Sequence, residues 1–522
     1  MAPQYDTIII GGGVSGLAAA RLLSNSGQNV LVLEARGRVG GRTYTKRDPA
    51  FQYADMGGSY IGPSQKRISE LARKLGLQLH SVNDNERAIF MDKDKVMPYM
   101  NFPRIYNPFT LMDFISFWRI VDSYCLQVPL AAPWDCPKAS EWDSMTAHEF
   151  IQRTCWTGFT RASAESVIRM TFAVEPRDIS FLYFLWYIRS GGNAYTHMAT
   201  SNGAQDSKIV GGSMQVAERI ADFLGQDHVI LNKPVSQVTQ QEDGMVTVGT
   251  VDGESFSCSF VISAVPQALI GRITFSPPLP SLRNQLIQHI PMGSCIKVLL
   301  YYKTPFWRNL GFCGDIWGTD LMAEVHDDTK PDGSYPALVG FFNADNARKY
   351  CEETPEKRAK MVAEFYARVF KSDEALSFVS SVEQNWMAEQ YSGGCYMGAT
   401  APGVLTTMGK VIRTPCGKVF FAGTETATRW SGYMDGAVQA GERAAREVLC
   451  AKGLLSVDEI WEPEPEPEND GVTINPYADS LVLRMVPSVP GFLKVVGGSL
   501  ALGALASLLY LHKDQLPQIL PK

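Results

Sequence analysis

Ten cysteines are scattered along the chain without one C-x-x-C pair, and the seven histidines form no cluster. Those absences argue against a zinc site and against a disulfide framework, and they suit a reducing compartment. No basic stretch is long enough to follow a phosphate backbone, and the net charge is −6, so nucleic acid is not an expected partner. No apolar leader precedes the first strand-like run at Tyr5. A second glycine-rich nucleotide fingerprint is also missing. What is present reads as globular: 522 residues, 45% hydrophobic and 20% charged, enough for two or three folded units.

The first forty residues carry a dinucleotide fingerprint in its proper setting. Tyr5 to Ile10 is an apolar run that predicts a buried parallel strand. Gly11-Gly12-Gly13-Val14-Ser15-Gly16 follows, then a helix expected over Leu17 to Ser26, a second strand over Asn29 to Leu33, and Glu34 at its end. Gly11 permits the tight turn, Gly13 lets the backbone approach a pyrophosphate, and Gly16 allows close helix–strand packing. The helix N-terminus offers free N–H groups to the phosphates, and Glu34 would accept hydrogen bonds from a ribose. Arg36-Gly37-Arg38-Val39-Gly40-Gly41-Arg42-Thr43 continues with arginines beside glycines, which suits a phosphate.

Far downstream lies the hexapeptide Tyr391-Ser392-Gly393-Gly394-Cys395-Tyr396, followed by Trp430-Ser431-Gly432-Tyr433. Together with the N-terminus, this pair resembles the flavin site of the monoamine oxidases, and the likeness covers essentially the whole chain. Arg36 to Thr43 is similar to the second motif of that FAD amine-oxidase superfamily, and Asp55-Met56-Gly57-Gly58-Ser59-Tyr60 to its flavin-ring segment. The resemblance implies FAD bound through an 8α thioether to Cys395. It places the cofactor against the fingerprint residues Gly11, Gly13, Val14, Ser15 and Gly16. It adds Glu34, Ala35, Arg36, Gly41, Arg42, Thr43, Gly57, Gly58, Ser59, Tyr60 and Val235. It also adds Trp386, Gly423, Thr424, Glu425, Gly432, Tyr433 and Met434. It implies catalytic roles for Lys297, Tyr396 and Tyr433, the tyrosines forming an aromatic cage, with Thr171, Met198 and Gln205 lining the substrate cavity. Read from its strand alone, Lys297 would be a lysine on a solvent face. The lack of a second nucleotide fingerprint points to an oxidase that passes its electrons to O2.

The implied fold is α/β: a Rossmann-like FAD-binding domain (residues 1–80, 205–285 and 395–455) interleaved with an α+β substrate domain (81–204 and 286–394). Within the first, Met214 to Leu224 reads as a helix. Val229 to Val238, Met245 to Val251, Phe260 to Ala264 and Lys418 to Phe421 read as strands, and a helix is expected from Gly432 to Cys450. The aromatic run Phe181 to Tyr187 reads as core. Residues 456–494 form a linker or membrane-proximal region containing the stiff Glu462 to Glu468 Glu/Pro run and a segment, Leu481 to Leu493, suited to an interface. Val495 to Leu511 carries no charge and, as a helix, would extend about 26 Å, near the thickness of a bilayer core. The chain thus reads as a C-terminally anchored protein with a cytosolic body. The resemblance adds the mitochondrial outer membrane.

The expected reaction is oxidative deamination of primary arylalkyl monoamines to aldehyde, ammonia and hydrogen peroxide. Expected partners are the amine, O2 and a lipid bilayer; a homodimer is compatible with the sequence. Aligned on Asp327-Asp328-Thr329-Lys330-Pro331, the resemblance puts Glu324 where that family places an apolar or tyrosine gate residue; at the entrance its carboxylate would attract a second cation, and a solvated loop glutamate is the plain alternative. A polyamine, diamine or amino-acid oxidase, a flavin dehydrogenase and a membrane-tethered flavoprotein without turnover are the other readings. An amino-acid oxidase would need a cavity arginine for the substrate carboxylate, and none is evident.

Overall fold

A computed structural model describes residues 4–92, 95–100, 105–322, 324–463 and 485–511. Two large sheets organise the chain. The eight-stranded sheet runs Val229–Ile230, Val30–Leu33, Tyr5–Ile10, Ser255–Ser263, Val246–Thr250, Val235–Gln240 and Thr274–Ser276, with Val419–Phe421 also paired to Ser255–Ser263. Tyr5–Ile10 lies at its heart, parallel to both neighbours, with Ile9 opposite Val32 and Ile262. β-branched residues covered on both faces are what a central parallel strand requires.

The first helix spans Val14–Asn25 and begins directly after Gly13, three residues earlier than the sequence suggests. A Cβ on Gly16 would come within 2.0 Å of the Gly11 carbonyl oxygen, so only glycine lets the helix start inside the fingerprint. This helix packs along Met434–Ala451, where a Cβ on Gly441 would meet the Ser15 carbonyl oxygen at 2.0 Å. The run expected as one strand from Val229 to Val238 is two, Val229–Ile230 and Val235–Gln240. Asn232 has φ 57° and Pro234 has no N–H to donate, so the ladder breaks between them.

The seven-stranded sheet runs Ser380–Asn385, Cys295–Tyr301, Ala337–Asn343, Glu324–Asp327, Phe312–Gly318, Arg87–Asp92 and Lys95–Tyr99. Alternation along Cys295–Tyr301 sends Ile296, Val298 and Leu300 into the core with helix Pro355–Phe370. Cys295, Leu299 and Tyr301 pack on the other face with Trp386 and Cys395. Lys297 shares their face by the two-residue period of a strand. Beside this sheet, helices Pro108–Cys125, Ala147–Thr154, Gly158–Phe172 and Phe181–Ser190 bury one aromatic core. Thr146 and Glu149 form a capping box at the start of Ala147–Thr154.

The C-terminal apolar helix covers Val489–Leu511, beginning six residues before the expected Val495. Pro490 at its first turn is preorganised for a helix, and Lys494 continues it without a break. Val489–Leu508 is long and apolar enough to cross a membrane, and none of its apolar window is buried. Residues 464–484, which hold most of the Glu/Pro run and the start of the Leu481 to Leu493 segment, lie outside the described residues.

Candidate active site

A cavity of about 310 Å³ runs between the two sheets. One end is made of backbone. Gly11, Gly13, Val14 and Ser15 line it at the N-terminus of helix Val14–Asn25, whose cap residue Gly13 contributes no side-chain hydrogen bond. The first-turn N–H groups therefore remain available to an anion. Ser15 Oγ accepts from the Gly423 N–H at 3.0 Å, tying this turn to the Gly423–Glu425 segment. Glu34, Ala35, Arg36, Gly41, Arg42, Thr43 and Val235 complete that end. Glu34 is already occupied by the loop: Oε2 accepts from the Gly12 N–H at 2.7 Å and Oε1 from the Arg36 N–H at 2.9 Å. Arg36 reaches across the molecule, donating to Glu389 at 3.0 Å and to Ser392 Oγ at 2.9 Å. The fingerprint and the hexapeptide are thereby fastened together.

Arg42 marks the middle. It grips Glu425 in a two-point ion pair at 2.5 and 3.1 Å and donates to the Tyr396 carbonyl oxygen at 3.0 Å. Glu425 itself stands behind the wall, as does Gly16, whose role is packing. Gly57, Gly58, Ser59 and Tyr60 line the same stretch. Trp386 is buried and donates its indole N–H to the Met56 carbonyl oxygen at 2.8 Å.

At the other end Cys395, Tyr396, Gly432, Tyr433, Lys297, Thr171 and Gln205 meet. Burial lifts the Cys395 thiol to about 12, while Arg42 and Lys297 pull the other way. Lys297 is 3% exposed, not on a solvent face. Its ammonium donates to the Gly57 carbonyl oxygen at 3.0 Å and to Ser59 Oγ at 2.9 Å. Burial, reinforced by the nearby Lys208 charge, lowers it to about 8. The Tyr396 hydroxyl accepts from Asn343 Nδ2 at 3.3 Å, and Phe341 stands edge-on to its ring at 6.2 Å. Burial raises the phenols of both Tyr396 and Tyr433, and the Glu324 carboxylate adds to each.

Several neighbours had no signal in the sequence. His197 Nδ1 lies 2.9 Å from the Tyr433 hydroxyl and Nε2 lies 3.2 Å from the Ile188 carbonyl oxygen. Burial depresses His197 to about 4, so the ring is neutral; Nε2–H donates to Ile188 and Nδ1 accepts from the tyrosine. Met198, the adjacent residue, is absent from the cavity wall and packs against the helical core instead. Tyr187, from the aromatic run read as core, does reach the wall. Glu324 is no loop residue: it opens strand Glu324–Asp327, is 7% exposed and lines the cavity. Among the described residues no group of His, Cys, Asp and Glu is arranged to hold a metal.

The residues suit a flavin dinucleotide. A backbone cradle with Arg36 and Arg42 beside it matches a pyrophosphate, and the other end bears the cysteine, the tyrosines and one depressed lysine. A family model for flavin containing amine oxidoreductases matches residues 14–449. The chain is 48% identical to amine oxidase (flavin-containing) B of Bos taurus, over 98% of this chain and 99% of that protein. It is 47% identical to amine oxidase (flavin-containing) A of Bos taurus, over 97% and 96%. The solved structure of cyclohexylamine oxidase from Brevibacterium oxydans IH-35A superposes with a TM-score of 0.83 at 31% identity, covering 86% of this chain and 100% of that one.

Proposed function

The chain belongs to the flavin containing amine oxidoreductases, and from that membership we propose that its cavity acts on primary arylalkyl monoamines, with FAD carried on Cys395. The protein is a flavin amine oxidase that oxidatively deaminates amines. In balance, RCH2NH2, O2 and H2O give RCHO, NH3 and H2O2. FAD, when bound, supplies the two-electron acceptor that no side chain can provide and returns those electrons to O2.

The chain's own residues bind and orient. Residues 1–80, 205–285 and 395–455 hold the cofactor, with the helix turn at Gly13–Ser15 and the arginines Arg36 and Arg42 against its phosphates. Residues 81–204 and 286–394 supply the rest of the amine chamber. Tyr396 and Tyr433 present aromatic faces to the amine nitrogen and narrow its approach. Their low-polarity surroundings lower the amine's pKa and favour the free base, whose lone pair the oxidation needs. Asn343 and His197 fix the two phenol hydroxyls, so the rings hold their places without the substrate. Lys297, anchored to Gly57 and Ser59, keeps a depressed cation beside the site and is suited to hold water or move a proton there. The carrying observation is that one cavity joins the uncapped helix N-terminus to Cys395, the two tyrosines and Lys297.

The helix Val489–Leu511, apolar and unburied over most of its length, anchors the enzyme in the mitochondrial outer membrane with its body in the cytosol. A peroxide assay with tyramine, run on the flavin-loaded full chain, tests the activity. Denaturing and precipitating the same sample tests the linkage: yellow colour must stay with the polypeptide. Colour left entirely in the supernatant removes the thioether.

A further inference from the structure

One row of side chains crosses the seven-stranded sheet. Lys297 lies opposite Phe341, Phe341 opposite Glu324, and Glu324 opposite Trp317. Residues paired across strands share a face, so Lys297, Phe341 and Glu324 all stand on the cavity side, and all three line the cavity. With strands about 4.8 Å apart, Glu324 stands about 10 Å from Lys297, measured across the sheet. Phe341 lies between them and is the ring packed edge-on to Tyr396.

Behind Glu324 is a relay that the amine chemistry does not use. His326 Nε2 donates to Glu324 Oε1 at 2.6 Å and Nδ1 donates to Asp315 Oδ1 at 2.9 Å. Both ring nitrogens can donate only in the imidazolium. Burial opposes that charge, yet Asp315 and Glu324 together lift His326 to about 10. Thr200 Oγ1 donates to the remaining Asp315 oxygen at 2.9 Å. Glu324 is the member of this trio that lines the cavity, so the trio presents a carboxylate there. Lys297, two strands away in the same row, donates instead to Gly57 and Ser59. Thr171 Oγ1, which lines the cavity from helix Gly158–Phe172 and belongs to a residue 7% exposed, has no hydrogen-bond partner among the described residues; Gln205 Oε1 has none either. A carboxylate shared with one imidazolium and facing the cavity favours a cation that enters beside it.

We propose that Glu324, held by His326 and Asp315, forms an anionic subsite for a second cationic group on the substrate, so that short α,ω-diamines are oxidised at one end while anchored at the other. This rests on the amine-oxidase reading above and adds a substrate class to it. Glu324 is a specificity residue here, and His326 and Asp315 position it.

The test compares 1,5-diaminopentane with 1-aminopentane on the full-length, flavin-loaded enzyme, and then a series of diamines of increasing length. The wild type should show a kcat/KM ratio of diamine to monoamine above one, carried by KM, with one preferred chain length. Glu324→Gln should lower that ratio at least tenfold. Glu324→Asp, which withdraws the carboxylate by one methylene, should move the preferred diamine longer by one carbon. A wild-type ratio at or below one for every length overturns the proposal, as does a ratio unchanged in Glu324→Gln. Should either variant lose its flavin, the wild-type series still decides. Phenethylamine run in parallel separates the two levels. No peroxide from it defeats the amine-oxidase reading itself, whereas peroxide from it with a flat diamine ratio defeats only the subsite.

Discussion

The two ends of the cavity are built on different principles. At the nucleotide end, the working groups are backbone N–H and the room that glycine leaves. Most come from one stretch, Gly11 to Thr43, joined by Ser15 to Gly423 and completed by Val235. At the amine end they are side chains from separate segments: Thr171, Gln205, Lys297, Glu324, Cys395–Tyr396 and Tyr433. Changes at the first end should act on folding and cofactor retention together. Changes at the second should alter turnover while the flavin stays.

The sharpest way to break that contrast is Gly441→Leu. Its Cβ would stand 2.0 Å from the Ser15 carbonyl oxygen, so the two helices must separate. We expect a loss of more than about 3 kcal/mol of stability together with loss of bound flavin, read by thermal unfolding and by absorbance of the purified protein. Retained flavin and an unshifted Tm would show that the helix contact does not shape the nucleotide end.

At the opposite end, replacing Tyr396 and Tyr433 together by alanine should cost about 100-fold in kcat/KM, about 2.7 kcal/mol of transition-state binding. Flavin content should stay equal to that of the wild type. Undiminished kcat/KM takes the cage out of the mechanism.

Lys297 offers a pH test. Burial lowers its pKa to about 8 from an ordinary value of about 10.4. Between those values the unfolded chain binds more protons than the folded one, so stability rises with pH. Below pH 8 the buried charge costs about 3 kcal/mol, and that cost fades as pH approaches about 10.4. Wild type should therefore gain stability relative to Lys297→Met as pH rises from 8 to 10. A difference between the two that is independent of pH would contradict the buried, depressed lysine.

The smallest effect is expected at His197. His197→Phe removes the acceptor that steers the Tyr433 hydroxyl and should lower kcat/KM by about three- to tenfold. Because this imidazole is held near 4, the substitution should leave the shape of the kcat/KM profile above pH 6 unchanged. A vanished inflection near 6.5 would mean that His197 titrates in the working range.

Legibility follows the same division. The fingerprint strand and helix, the strand Val419–Phe421 and the apolar C-terminal helix stand close to where the local pattern puts them. The helix boundaries move at Gly13 and Pro490, and the run Val229 to Val238 splits before Pro234. Lys297 could not be read from its strand, because alternation says which residues share a face and not what covers that face. His326 and Asp315 come from neighbouring strands and His197 from a short helix, Ala194–Met198. None has a periodic neighbour that would mark it.

The order of apolar runs, glycines and the acid after the second strand determined a dinucleotide cradle, since those needs are met by residues within a few positions of one another. The cysteine-tyrosine hexapeptide and the tyrosine beyond it named the chemistry. Tertiary structure decided the rest. It turned Lys297 inward, set His197 behind Tyr433, and linked Asp315 and His326 behind Glu324. Burial and cross-strand register fix a side chain's partners and its charge, and neither quantity exists until the sheet has formed.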